Sequence, residues 1–304
     1  MCCIFTESKK TEETKMMYNG ETKTCGLIGN PVEHTLSPLL QNYLAEETGT
    51  NMVYVPFHVD KGRLEEAVKG AYALNLLGCN VTVPYKTDVI EYVTELDDMA
   101  ARIGAVNTLV RNETGFKGYN TDMLGLYRAM LSDGVDPAGR ECVILGAGGV
   151  ARAVTVMLLE KRATKVYILN RTLEKAQAIA DEVNHMAGSE FVKACTLAEY
   201  HGLPENQKFL VIQATNVGMH PHVEEVVIDE EDFYQKVEVG YDLIFNPGDT
   251  RFMQMTRKNG GKAYNGAKML VYQGIIAFEL WNKLKISEET AEIVNQLVAE
   301  ALRK

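Results

Sequence analysis

Glu141-Cys142-Val143-Ile144-Leu145-Gly146-Ala147-Gly148-Gly149-Val150-Ala151 passes from an apolar, strand-forming run through a glycine turn into residues with helical spacing. With a strand over 141–145, a helix over 151–161, a second strand over 165–169 and a second helix over 173–183, it predicts a βαβ unit followed by a further helix. Glycines at 146, 148 and 149 allow a tight turn and close approach of a ligand to the backbone. The free amides of the helix start offer donors and positive potential to a pyrophosphate. Ala151 stands where G-x-G-x-x-G has its last glycine, and so small a side chain still lets helix and sheet pack closely. The candidate dinucleotide contacts are therefore Gly146, Ala147, Gly148, Gly149, Val150 and Ala151.

At the end of the second strand stand Asn170-Arg171-Thr172, where an NAD enzyme usually carries an acid for the ribose hydroxyls. Arg171, with Lys175 one turn on, instead supplies positive charge for a 2′-phosphate. The expected cofactor is NADP. Apolar runs over 209–213 and 239–244 predict more strands of the same sheet. Beyond them come a glycine turn at Gly266 and helices over 269–283 and 287–302, the last opening on Ser287-Glu288-Glu289.

Working toward the N-terminus, Asp133-Gly134-Val135-Asp136-Pro137 is rich in turn formers and marks a boundary. Before it, strands over 24–28, 53–59 and 78–83 alternate with helices, which predicts α/β architecture with a mostly parallel sheet. Ser37-Pro38 reads as a helix start with Ser37 as cap. Residues 87–96 and 98–103 read as helical, 106–110 and 115–119 as short strands around Asn112, and 123–132 as a helix between the domains. The expected organisation is a flexible tail over 1–23, a substrate domain over 24–123 and a Rossmann-like NADP domain over 124–265.

A chain of 304 residues with 46% hydrophobic and 24% charged residues fits two globular domains. Its net charge of −10 repels a phosphate backbone and argues against nucleic acid as a partner. No apolar run reaches the length of a bilayer span, and the residues before Lys23 lack the apolar core of a secretory signal. The expected location is cytoplasmic. Cys2, Cys3, Cys25, Cys79, Cys142 and Cys195 show no metal-ligand spacing and read as reduced, mostly packing thiols. The six histidines form no metal-ligand pattern beyond His220-Pro221-His222, taken as a surface loop, so no metal is expected. Monomer and homodimer are equally compatible with these helices.

The candidate chemistry lies earlier in the chain. Lys86 closes Asn80-Val81-Thr82-Val83-Pro84-Tyr85-Lys86 at a strand end, and Asp122 closes Asn120-Thr121-Asp122. A lysine and a carboxylate sharing a cleft can pass a proton to and from a carbonyl or alcohol. Asn80, Thr82, Asn107 and Asn120 add neutral donors and acceptors of the kind a polyhydroxylated substrate needs.

Taken in order and spacing, these blocks make the chain resemble the shikimate dehydrogenases from Thr24 onward. Asn80 to Lys86, Gly104 to Thr108, Asn120 to Asp122, Gly146 to Gly149, Asn170 to Thr172 and Met269 to Gln273 each look like a family block. The resemblance implies NADP-dependent interconversion of 3-dehydroshikimate and shikimate in aromatic amino-acid biosynthesis. Lys86 and Asp122 would be the catalytic pair, with Lys86 exchanging the proton at the C3 oxygen. It further implies that Thr82, Asn107 and Gln273 bind substrate hydroxyls and that Thr35 and Ser37 hold the carboxylate. Thr215, in the segment Ala214 to Met219, would lie near the cofactor, and Gly266 and Met269 near the nicotinamide. Helices over 266–304 would complete the first domain. This sequence departs from the family pattern at Thr35, Met123, Gln213, Phe245 and Lys268. Phe245 replaces a tyrosine expected to reach the carboxylate, and Lys268 would offer compensating charge or face water. Quinate, an amino analogue, or an NADP-binding protein without catalysis remain as alternatives.

Overall fold

The computed structural model describes residues 18–302, so residues 1–17 of the expected tail lie outside it. Two six-stranded sheets form in sequence. The first contains β1 (Lys23–Gly29), β2 (Met52–His58), β3 (Gly78–Val81), β4 (Glu95–Leu96), β5 (Thr108–Arg111) and β6 (Phe116–Tyr119), in the order β2-β1-β3-β5-β6-β4. Parallel pairs join β1 to β2, β1 to β3 and β4 to β6. The turn at 112–115, closed by Asn112 N donating to Gly115 O, is too short for a crossover, so β5 and β6 run antiparallel.

On this sheet lie α1 (Ser37–Glu47), α2 (Leu64–Ala73) and α3 (Asp98–Ile103). Residues 87–96, read as a helix from sequence, instead form one 3₁₀ turn over Asp88–Tyr92 followed by β4. Val89, Ile90, Val93 and Thr94 are β-branched and disfavour helix. Thr94 N and Asp97 N donate to Phe116 O and Gly118 O, so the segment finds its backbone partners in β6.

The second sheet is wholly parallel: β7 (Glu141–Leu145), β8 (Lys165–Asn170), β9 (Val192–Thr196), β10 (Phe209–Gln213), β11 (Val237–Asp242) and β12 (Lys262–Tyr264), in the order β12-β11-β10-β7-β8-β9. Its strands are near-continuous apolar runs, as burial on both faces requires. The direction of strand succession reverses between β7 and β10, which opens a crevice at their C-terminal ends. Helices α5 (Gly149–Glu160), α6 (Leu173–Ala187), α7 (Glu231–Gln235) and α8 (Arg251–Lys258) connect the strands.

Helix α4 (Thr121–Ser132) joins the sheets, and α9 (Ala267–Asn282) and α10 (Glu288–Ala301) return to the first one. Phe278, Trp281, Val294 and Val298 share a core with Leu27, Leu44 and Tyr54. Trp281 Nε1 donates to Leu109 O at 2.9 Å. Helices α4 and α9 meet closely at Gly125, where a Cβ would stand 2.5 Å from Gln273 N. That crossing places the first turn of α4 beside α9.

Candidate active site

Lys86 is held from both sides along the chain. Tyr85 is buried and donates through its hydroxyl to Val59 O at 2.7 Å, and Lys86 O accepts from Val106 N at 2.7 Å. Asp122 sits in the first turn of α4. Asn120 caps that turn, its Oδ1 accepting from Met123 N at 3.2 Å and its Nδ2 donating to Ala105 O at 3.0 Å. Asp122 thereby stands at the N-terminal end of α4, its side chain held at the mouth of the helix. The two side chains meet with Lys86 Nζ 2.7 Å from Asp122 Oδ2, at 35% and 20% exposure. The pair is thus sheltered yet reachable.

It opens into a cavity of about 410 Å³ that also gathers Thr35, Ser37, Thr82, Asn107, Gly266, Met269 and Gln273. The five residues that the family resemblance assigns to substrate therefore line one space, together with the two expected nicotinamide neighbours. Asn107 Oδ1 accepts from Thr121 N at 2.7 Å and from the hydroxyls of Thr121 and Thr108 at 3.1 Å. With its oxygen saturated, the amide presents Nδ2 as donor. Gln273 is steadied through Nε2, which donates to Leu270 O at 2.8 Å.

Several expectations need correction. Ser37 does not cap α1; Leu36 holds that position and Ser37 is the first helical residue. Thr35 Oγ1 takes over the local role, accepting from Ser37 N at 3.2 Å while donating to Ser37 Oγ at 3.1 Å. The Ser37 proton is left for an outside acceptor at the helix start. Asn80 lines the cavity, as expected, but its amide protons are used within the protein, and Asn120 lies outside the lining. Asn80 Oδ1 accepts from Tyr54 at 2.8 Å and its Nδ2 donates to Thr108 Oγ1 at 2.9 Å, so both amides tie strands and helix together. Lys268 does not line the pocket: its Nζ lies 2.6 Å from Asp133 Oδ1, with a third of the side chain still open to water. Burial pulls its pKa down, but the hydrogen bond to Asp133 and the charge of that carboxylate together outweigh burial and leave it raised.

Phe245 does line the cavity, with 40% of its surface exposed and no polar atom to offer. His34 and Leu243 line it too and were not singled out from sequence. Position next to Thr35 was the available signal for His34, whereas Leu243 arrives only through the fold.

A second cavity, of about 620 Å³, lies at the crevice of the parallel sheet and is lined by Gly146, Asn170, Arg171, Thr215, Val217 and Arg251, among others. Gly146 has φ +109° and its Cβ position falls 2.6 Å from Thr215 Cγ2, so only glycine fits that turn. Around Gly148 and Gly149 nothing stands within 4 Å of a Cβ, which leaves the start of α5 open to a ligand. Ala151 is fully buried against the sheet, while Val150 and Arg171 are exposed. Asn170 Nδ2 donates to Thr172 O at 2.8 Å and shapes the strand end that carries Arg171. An open helix start, a glycine-only turn and a flanking arginine fit a phosphorylated dinucleotide. Lys175 is exposed on the first turn of α6 and is not part of the cavity lining. Arg251, missed from sequence, pairs with Asp229 at 2.7 Å, and only tertiary folding brings that pair to the cavity.

Among the described residues no helix is long and apolar enough to cross a membrane, and no group of three or more His, Cys, Asp or Glu is placed to hold a metal ion.

The doubly wound sheet, its open glycine turn and the lysine–carboxylate cavity on a second α/β unit define a two-domain, dinucleotide-dependent oxidoreductase. Family models described as shikimate dehydrogenase substrate binding domain and as shikimate / quinate 5-dehydrogenase match residues 27–109 and 132–230. The chain is 42% identical over 270 residues to a shikimate dehydrogenase (NADP(+)) of Caldanaerobacter subterraneus subsp. tengcongensis, covering 88% of this chain and 94% of the relative. It superposes on a crystal structure of a shikimate dehydrogenase in complex with NADP+ with a TM-score of 0.83 at 35% identity, covering 95% of this chain and 98% of the other. The shikimate 5-dehydrogenase of Listeria monocytogenes, solved with shikimate and NAD, gives 0.85 at 28% identity over 93% and 99%. The chain belongs to the shikimate dehydrogenase family.

Proposed function

We propose that this chain catalyses the reversible, NADP-dependent reduction of 3-dehydroshikimate to shikimate, with Lys86 and Asp122 as its acid–base pair. The observation that carries the reading is the 2.7 Å contact between Lys86 Nζ and Asp122 Oδ2 inside a cavity that also holds Gly266 and Met269. The hydride is the contribution of NADPH bound at the turn from Gly146 to Ala151. As the substrate carbonyl oxygen gains charge, Lys86 donates a proton to it, and Asp122 orients the ammonium group and helps restore its proton. In the reverse direction Lys86 accepts the proton from the alcohol. Thr82, Asn107 and Gln273 orient the ring hydroxyls. Thr35 and Ser37 hold the carboxylate at the start of α1, Ser37 donating to it and Thr35 orienting the Ser37 hydroxyl. Arg171, with Lys175 as a more distant charge, favours the 2′-phosphate, while Asn170, Thr172 and Thr215 shape the ribose and nicotinamide path.

This reading divides the chain into a substrate unit of residues 24–123 and 266–304 and a nucleotide unit of 124–265. It includes a cytoplasmic site of action, in keeping with the buried free thiols of Cys25, Cys79, Cys142 and Cys195. Burial pushes the Cys79 and Cys142 thiols up to about 12, which keeps them unreactive.

The test is NADPH formation by purified protein with shikimate and NADP+. Lys86→Ala is expected to lower kcat by about 10²- to 10⁴-fold, the range for loss of a general acid–base group. Wild-type protein that forms no NADPH would overturn the reading. Quinate is the competing substrate favoured by one observation, the apolar Phe245 in the cavity wall. A higher kcat/KM for quinate than for shikimate would move the assignment to it.

A further inference from the structure

Asp242, the last residue of β11, has no exposed surface, and no step proposed above uses it. Its Oδ1 accepts from Gln213 Nε2 at 3.3 Å and from Ile244 N at 3.0 Å, and its Oδ2 accepts from Thr250 Oγ1 at 2.6 Å. Each donor belongs to a segment that builds one of the two cavities. Gln213 ends β10, and its Oε1 accepts from Thr215 N and Oγ1 at 2.6 and 2.7 Å. Its Nε2 also donates to Val217 O at 3.1 Å. Thr215 and Val217 line the cofactor cavity. Ile244 stands between Leu243 and Phe245, both in the wall of the substrate cavity. Leu243 N in turn donates to Gln213 O at 3.0 Å. Thr250 caps α8, whose first residue, Arg251, reaches the cofactor cavity.

A carboxylate buried to this depth is costly unless its lone pairs are met, and an apolar side chain would fill the space more cheaply. What the carboxylate adds is direction: three hydrogen bonds fix three chain segments relative to one another. We propose that Asp242 is a positioning residue that holds the cofactor side, through Gln213 and Thr215, and the substrate side, through Ile244, as one unit. The role is that of an acceptor and depends little on charge. Gln213, one methylene longer than the asparagine of the family pattern, is the arm that reaches from the hub to Thr215.

The inference rests on the NADP reading above, and fluorescence titration with NADPH separates the two. Asp242→Ala removes both acceptor oxygens, and with them all three hydrogen bonds, and Gln213→Met removes the arm while keeping its length. Each is expected to weaken NADPH binding about tenfold, the scale of one or two lost hydrogen bonds to oriented groups. The double variant should bind no more weakly than the weaker single, because both act on Thr215 through one path. Asp242→Asn keeps an oxygen toward Gln213 and Ile244, and its amide can donate to Thr250, so it should restore affinity to within about threefold of wild type. In steady state Asp242→Ala and Gln213→Met should raise KM for NADP+ and for shikimate more than they lower kcat. Mere loss of folded protein would lower kcat with KM unchanged. Folded Asp242→Ala with wild-type affinity, additive effects in the double variant, or failure of Asp242→Asn to restore binding would each overturn the proposal. If Asp242→Ala does not fold, unaltered binding by Gln213→Met does so alone. Wild-type protein that binds no NADPH would overturn the cofactor reading itself, and the inference with it.

Discussion

Phe245 and Asp242 carry two opposite kinds of single-residue consequence. Phe245 faces the substrate cavity without a polar atom, so Phe245→Tyr should add one donor toward the bound carboxylate. The expected result is a KM for shikimate lower by about two- to tenfold with kcat little changed, equivalent to one hydrogen bond. An unchanged KM would mean that the carboxylate lies out of reach of position 245. Asp242 is instead a matter of stability against pH. Burial raises its pKa from 3.8 to about 6, and the bonds from Thr250 and Ile244 only partly oppose that. The folded state therefore holds this proton more tightly than the unfolded chain does. Its favourable contribution is complete below pH 3.8 and is lost as pH rises through about 6. At about 1.4 kcal/mol for each tenfold change in proton affinity, the loss is on the order of 3 kcal/mol. Denaturant melts of Asp242→Asn and wild type across that window should show the wild-type stability falling more steeply with rising pH. Parallel curves would show that Asp242 titrates at its ordinary value.

Gly125 shows how two elements set the site between them. A Cβ there would meet Gln273 N at 2.5 Å and Gln273 Cα at 2.8 Å, both backbone atoms of α9 that cannot turn aside. Gly125→Ala should push α4 and α9 apart and cost about 1–3 kcal/mol, as overpacking does. Asp122 rides on α4 and Gln273 on α9, so substrate KM should rise along with the fall in melting temperature. A destabilised variant with unchanged KM would separate the packing from the site. At this scale much of the fold was legible in the sequence. Strong apolar periodicity and glycine punctuation mark β7, α5, β8 and β10 within a few residues; Lys86 and Asp122 stand out instead by the short motifs that end on them, and the structure brings the two side chains to 2.7 Å. The misses have physical causes. Helix α7 is five residues long, too short for a repeating stripe, and β9 mixes exposed Lys193 with buried Val192 and Cys195 at an edge of the sheet. The segment 87–96 is settled by backbone partners in β6, which local pattern does not contain. Arg251 and Leu243 reach the cavities, and Asp133 meets Lys268, only through contacts made far along the chain.

Across the whole molecule, the two units are tied at points away from the cavities. Arg152, directly after the glycine turn, donates to the carbonyls of Ile103 and Arg102 at the end of α3 and pairs with Glu182. Arg102 in turn pairs with Glu160 at 2.7 Å. On the other side Asp133 receives Lys268 from α9 and the Tyr241 hydroxyl from β11. The first sheet, however, is finished only by α9 and α10. A chain ended before Ala267 leaves Leu27, Leu44 and Tyr54 without the cover of Phe278, Trp281 and Val294. It should bind hydrophobic dye and collect in the insoluble fraction; a soluble, dye-silent product would show that the sheet closes by other means. The return of these helices also imposes a timetable on synthesis. The strands made first wait for the residues made last, so their apolar face has no native cover while the nucleotide unit, contiguous in the chain, can close as it emerges. Joining segments more than two hundred residues apart is slow, long-range closure. In the cell, the half of the enzyme translated earliest is the half that depends longest on protection from aggregation.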